Sequence, residues 1–347
     1  MMTKESKKVA GRPYALLRAG FPYYATVGMR RYTTYCMDLA IGDEGRLYVL
    51  CREDGQGGHI RRTNWNDDDL DTIGGSGTGD GQFAWPVSLL RDAAEDLYIS
   101  DEGLHRITIL NRQGKFLGKW GVHGDGKGQL NRPAGIAFDA EENVFVADAL
   151  NHRVQKFTKA GKYLSSFGSH GTGGGEFDMP WGVFVDDLGQ VYVSDWGNNR
   201  VQVFDARGKF KFAFGSSGTA DGELQGPAGV CVDAHGDIYV ADRGNSRVQL
   251  FDHTGRYVEK FTGDATLSKS GLRYIQANPK VLRAREMTTL EQQKRLRGPA
   301  SVRMDNEFRL YIADFGSHRI QVYKKEAYPL TTDDVFPEPR SPSLYTV

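Results

Sequence analysis

Pro133-Ala-Gly-Ile-Ala-Phe138, Asn143-Val-Phe-Val-Ala-Asp148, Arg153-Val-Gln-Lys-Phe157 and Tyr163-Leu-Ser-Ser-Phe167 are four short runs rich in apolar, β-branched and aromatic residues. Each has the length of a strand, and turn residues bound each one. The turn ahead of the last run, Lys159-Ala-Gly-Lys162, holds a glycine where a tight hairpin needs positive φ. The unit recurs. Its opening proline stands at Pro86, Pro133, Pro180 and Pro227, at intervals of 47 residues, and again at Pro299 after 72. A second landmark, Asp-x-x-x-x-Arg, keeps the same intervals at Asp101 and Arg106, Asp148 and Arg153, Asp195 and Arg200, Asp242 and Arg247, and Asp314 and Arg319. The last interval is one period with 25 residues inserted. A degenerate copy comes first, with Cys36-Met-Asp-Leu-Ala-Ile41 as its inner run and Cys51 in place of the aspartate.

Six four-stranded units predict an all-β fold, a six-bladed β-propeller, because one such sheet cannot bury both of its faces alone. The last copy has only three strands. Tyr24-Ala-Thr-Val-Gly28, ahead of the first copy, resembles Leu164-Ser-Ser-Phe-Gly168, so an N-terminal strand is expected to complete the last blade. That closure leaves no open sheet edge. The chain then divides into an N-terminal extension over 1–22, a single propeller over 23–328, an inserted segment at about 264–298 between blades five and six, and a flexible C-terminal tail over 329–347.

The runs Asn151-His-Arg-Val-Gln-Lys-Phe157, Asn199-Arg-Val-Gln-Val-Phe204, Ser246-Arg-Val-Gln-Leu-Phe251 and Ser317-His-Arg-Ile-Gln-Val-Tyr323 resemble the NHL-repeat family of six-bladed propellers, over about residues 24–326. The resemblance implies the fold and a frequent use as an interaction module; fold alone implies no activity. In the family's peptide-amidating lyases the zinc histidines directly follow the blade-opening proline. Here those positions are Val87, Ala134, Trp181, Ala228 and Ala300, so that activity is not expected.

Composition excludes other classes. The 44 Lys and Arg balance 44 Asp and Glu, which provides no overall field to attract nucleic acid. No apolar run is long enough to span a membrane. Three widely spaced cysteines, Cys36, Cys51 and Cys231, are no disulfide framework, and no secretion signal is recognised at the N-terminus, so a cytoplasmic protein is expected.

The five Asp/Arg pairs are expected to be structural, each fixing the loop between the second and third strands. That loop and the blade-to-blade crossings share one face, the usual binding face of propellers. It collects His59, His105, His152 and His318 from the first set of loops, and His123 and His170 from the second. Clustered imidazoles raise a divalent metal such as Zn²⁺; a repeated packing role for His105, His152 and His318 is the competing explanation. No other cofactor is indicated. At the channel mouth the candidates are Asp38, as base or metal ligand, with Trp181, Arg91 and Arg303 as ligand-binding groups; the register of the two arginines predicts that they face opposite ways. The glycine-rich crossings, such as Gly121-Val-His-Gly-Asp-Gly-Lys-Gly128, recur in register and read as tight turns. The insertion, with Lys280, Arg283, Arg285, Lys294, Arg295 and Arg297 against Glu286 and Glu291, suits a lid, a docking element or a solvated decoration, and Asn278-Pro279 suits a helix start. Two functions follow: a scaffold binding a protein or small-molecule ligand on this face, or a small-molecule lyase or hydrolase, metal-assisted or not, at the channel mouth.

Overall fold

Blade three shows how the repeat folds. Its strands, Pro133–Phe138, Val144–Asp148, Arg153–Phe157 and Tyr163–Phe167, pair antiparallel in chain order from the axis outward. Every residue of Val144–Asp148 is buried, whereas Tyr163–Phe167 is half-buried or exposed throughout. A strand with neighbouring sheets on both faces needs a near-continuous apolar run, and the outermost strand does not. The computed structural model describes residues 17–329, apart from 31, 54–56 and 288–289. Within it stand six such sheets. Apolar layers fill the spaces between them, as where Val230, Val240 and Phe251 of blade five meet Val201, Val203 and Phe214 of blade four.

The ring closes as expected. Tyr23–Val27 is the outermost strand of the last blade, with Thr26 opposite Gln321 and Val27 opposite Ile320. A second tie was not expected: Leu17–Gly20 pairs with Glu326–Pro329, joining both ends of the chain in a two-stranded ribbon. Residues 1–16 of the expected extension and 330–347 of the expected tail lie outside the described residues.

Near the axis the inner strands pass closely. A Cβ on Gly182 would stand 2.2 Å from the Ala228 carbonyl oxygen, and one on Gly135 2.6 Å from that of Trp181, so only glycine fits there. Farther out, Lys325, wholly buried, reaches back from blade six to Asp233 at 2.5 Å and Asp237 at 2.7 Å in blade five. Lys159 ties blade three to blade two in the same way through Asp92, at 2.7 Å.

The insertion forms three helices, α1 (Lys269–Gln276), α2 (Pro279–Glu286) and α3 (Glu291–Lys294). Ser268 caps α1, and Pro279 opens α2 with Asn278 as its N-cap residue, as the Asn-Pro pair suggested. Ser270 of α1 donates to Asp67 through its backbone N–H (2.9 Å) and its hydroxyl (2.6 Å), and Thr26 donates to the Thr266 carbonyl. These contacts fasten the segment to the outer edges of blades six and one, and give the lid reading no support. Among the described residues no helix is long and apolar enough to cross a membrane.

Candidate functional site

The loops joining second to third strands and the blade-to-blade crossings form the upper face. Their framework is the repeated Asp and Arg. Asp148 and Arg153 pair at 2.8 Å, Asp195 and Arg200 at 2.8 Å, Asp242 and Arg247 at 2.7 Å, and Asp314 and Arg319 at 3.1 Å. Each aspartate also accepts the backbone N–H two residues before the proline, as Asp148 does from Asn131 at 2.6 Å. Each of these arginines also donates to crossing carbonyls, as Arg153 does to those of Asp125, Gly126 and Gln129. The pair therefore locks two loops, one of each kind. Blade two departs from the expectation, because Asp101 and Arg106 form no ion pair with each other. Thr108 stands where the other blades have Gln155, Gln202, Gln249 and Gln321, which bond the aspartate. Arg106 turns its Nε to Thr108 instead, while Asp101 caps Ala84 and Trp85.

The histidines do not converge on one site. Nδ1 of His105, His152 and His318 accepts the backbone N–H of Arg132 (3.0 Å), Met179 (3.2 Å) and Tyr35 (2.9 Å) respectively. In the same repeat position Asn199 accepts from Gly226 and Ser246 from Gly298. All five have left-handed backbones, with φ between 51° and 56°. What the position requires is a side-chain acceptor that caps the crossing, which accounts for imidazole, amide and hydroxyl alike. His123 packs on His105 and His170 on His152, with ring centroids 4.2 and 4.3 Å apart, while His59 pairs with Glu53. Burial, then the neighbouring imidazole, lowers the pKa of both His105 and His152. Among the described residues one group could hold a metal: His152, His170 and Asp178, whose ligand atoms lie within 4.8 Å of one another. The corresponding residue beside His105 and His123 is Asn131, which lacks the carboxylate.

Asp38 is held by internal donors. It is 1% exposed and lies on the axis, where blades six, one and two carry Ser301, Asp38 and Ser88 in the position the other three blades fill with glycine. Its carboxylate accepts from the Ser88 hydroxyl (2.8 Å), the Ser301 hydroxyl (2.6 Å), the Leu89 N–H (2.8 Å), the Leu39 N–H (2.9 Å) and both Nε (3.0 Å) and a terminal nitrogen of Arg303. Asp38 in turn raises the Arg303 pKa, against the effect of burial. Beside the pair remains a void of about 30 Å³, the space of a water molecule. The channel is sealed at mid-depth.

Arg91 belongs to the opposite mouth. It donates to the Ile41 carbonyl at 2.6 Å and pairs with Asp43 at 3.2 Å, beside a cavity of about 370 Å³ that Arg303 closes from within. The expected grouping of Asp38, Trp181, Arg91 and Arg303 at one mouth is thus divided by the axis. Arg303 and Asp38 form the seal, Arg91 lies below it and Trp181 above.

Above the seal are two rings built from one residue per blade. Met37, Val87, Ala134, Trp181, Ala228 and Ala300 directly follow the first residue of the inner strand. Arg52, Glu102, Ala149, Trp196, Arg243 and Phe315 directly follow the repeat aspartate or its Cys51 counterpart. Trp181 and Phe315 pack into the apolar layer containing Met37, Val87, Ala134 and Ala149, and Trp181 lies 5.4 Å from Trp196. Arg52 stacks on Trp85 at 5.1 Å and Arg243 on Phe315 at 4.6 Å. Glu102, its side chain 3% exposed, bridges Arg52 (2.7 Å) and Arg132 (2.9 Å). Sequence reasoning reached Trp181 but missed this outer ring. The signal lay in reading one repeat position down all the blades: next to an almost invariant aspartate, the following residue changes from cation to anion to aromatic.

Comparison with known proteins agrees with this architecture. The NHL repeat model matches residues 130–157, 177–204 and 224–251. Three of its six blades carry NHL repeats, and the chain is a six-bladed β-propeller. No curated protein matches this propeller in sequence. A structure of a protein of unknown function from Bacteroides thetaiotaomicron is similar to this propeller at 17% identity and a TM-score of 0.62, over 89% of this chain and 77% of that one. A streptogramin B lyase is similar at 10% identity and a TM-score of 0.54, over 93% of this chain and 90% of that one. A catalytically inactive virginiamycin B lyase from Staphylococcus aureus, solved with quinupristin, is similar at 11% and 0.55, over 92% of this chain and 90% of that one. At these identities the likeness is one of fold.

Proposed function

We propose that this NHL propeller is a recognition scaffold that binds its ligand or protein partner at the upper mouth, through the ring of Arg52, Glu102, Trp196, Arg243 and Phe315 and the loops around it. The observation that carries the reading is the seal: the carboxylate on the axis above the lower cavity, Asp38, has its oxygens filled by internal donors, whereas the ring above is aromatic and charged. A balanced overall charge favours a protein or small-molecule ligand over nucleic acid. Three free, buried cysteines favour the cytoplasm. The test is a thermal-shift screen of small organic ions, amino acids and peptides. Stabilising compounds should lose their effect with Trp196→Ala and keep it with His235→Ala on the opposite face. Turnover of a compound that stops with Asp38→Asn would overturn the reading.

One observation favours a second reading, metal-assisted lyase or hydrolase chemistry, namely the proximity of His152, His170 and Asp178. Two imidazoles and a carboxylate are a donor set suited to Zn²⁺ and leave a position for water. Against it, His152 Nδ1 already caps Met179. Binding of one Co²⁺ or Zn²⁺ per chain, abolished by Asp178→Asn, would support this reading; failure to bind either ion would remove it.

A further inference from the structure

Three guanidiniums meet one carboxylate at the upper mouth. Glu102 uses one oxygen for Arg52 and the other for Arg132, so both of its oxygens are taken. Arg243, from the blade across the axis, is left over. Its guanidinium has no hydrogen bond or ion pair among the described residues, and it stacks on the Phe315 ring, 4.6 Å away. The group is half-buried. Burial, followed by the charge of Arg52, lowers its pKa, and Glu102 only partly opposes them. A cation that is desolvated, repelled by a neighbour and unpaired is stabilised by any anion brought to it.

Resting on the recognition reading above, we propose that the upper mouth binds an organic carboxylate carried on a flat apolar body, with Arg243 as the anchor of the carboxylate. The fork of a guanidinium matches the two oxygens of a carboxylate, the relation Glu102 already has with its two arginines. The apolar body would lie against Phe315, Trp196 and Trp181, the last two 5.4 Å apart.

The probes are 3-phenylpropionate and its neutral amide, titrated into the full chain and followed by tryptophan fluorescence, with Trp85, Trp181 and Trp196 as reporters at the mouth. Saturable binding of phenylpropionate is expected, at least tenfold weaker for the amide. Arg243→Gln should weaken phenylpropionate binding at least tenfold with an unchanged melting temperature, since that guanidinium has no hydrogen bond to lose. Equal binding of acid and amide, undiminished binding by Arg243→Gln, or no response to phenylpropionate would each overturn the proposal. If neutral compounds from the thermal-shift screen still bind in a manner that Trp196→Ala abolishes, the recognition reading survives that failure.

Discussion

Replacing Asp38 by alanine should cost stability, because it strands Arg303 in the sealed channel. The Arg303 side chain is 17% exposed and that of Asp38 2%, so solvent screens the pair little. Removing one partner of a buried ion pair costs about 3–5 kcal/mol. The hydroxyls of Ser88 and Ser301 lose their acceptor as well. With an unfolding entropy of ~2.1 cal/mol/K per residue over roughly 310 residues, that penalty lowers the melting temperature by about 5–8 °C. Thermal and denaturant unfolding of the wild type, Asp38→Ala, Arg303→Met and the double variant complete a mutant cycle. The double variant should regain more than half of the loss, since the cost comes from an unpaired buried charge rather than from the missing contact. A loss below about 1 kcal/mol for Asp38→Ala, or additive losses in the double variant, would refute the view that this pair is a structural seal.

Four further outcomes are expected. Lys325→Met should destabilise by a similar ~3–5 kcal/mol, because Asp233 and Asp237 lose their buried cation, and Asp233→Asn added to it should recover part of that in chemical denaturation. His152→Asn should unfold within about 0.5 kcal/mol of the wild type, whereas His152→Ala should lose ~1–2 kcal/mol, because asparagine keeps an acceptor for the Met179 N–H and alanine does not. His59, His105, His152 and His235 all have pKa values lowered by burial from an ordinary 6.5, so the unfolded chain binds protons more readily, and stability should fall as the pH drops below about 6.5; replacing His105 and His152 by asparagine should flatten that decline in pH-dependent melts. Removing residues 1–30 deletes the outer strand of blade six and should lower the melting temperature markedly; an unchanged melt would contradict the closure.

The ring of blades was legible because a period of 47 residues, carried by two landmarks, leaves little choice of fold. Closure by Tyr23–Val27 was legible from its likeness to other outer strands and from the missing fourth strand of the last copy. The ribbon between Leu17–Gly20 and Glu326–Pro329 was not, since neither segment has a repeat counterpart. The phase of the inner strands also stayed hidden. Side chains alternate across a strand, and only the three-dimensional arrangement shows that Asp38 and Arg303 meet on the axis while Arg91 bonds Ile41 at the other mouth. The role of the histidines stayed hidden for a related reason. Their shared face was readable, but the function of the position is legible only when Asn199 and Ser246 are seen making the same bond. Lys325 gave no warning, because a single lysine carries no signal of the two aspartates it meets 92 and 88 residues away.

The most direct measurement of the recognition account is hydrogen–deuterium exchange of the protein with and without a stabilising compound from the thermal-shift screen. Slower exchange in the upper loops around Arg52, Glu102, Trp196, Arg243 and Phe315 is the predicted result. Protection confined to the opposite mouth, around Arg91, Asp305 and Arg309, would contradict it and move the binding site to the cavity below the seal.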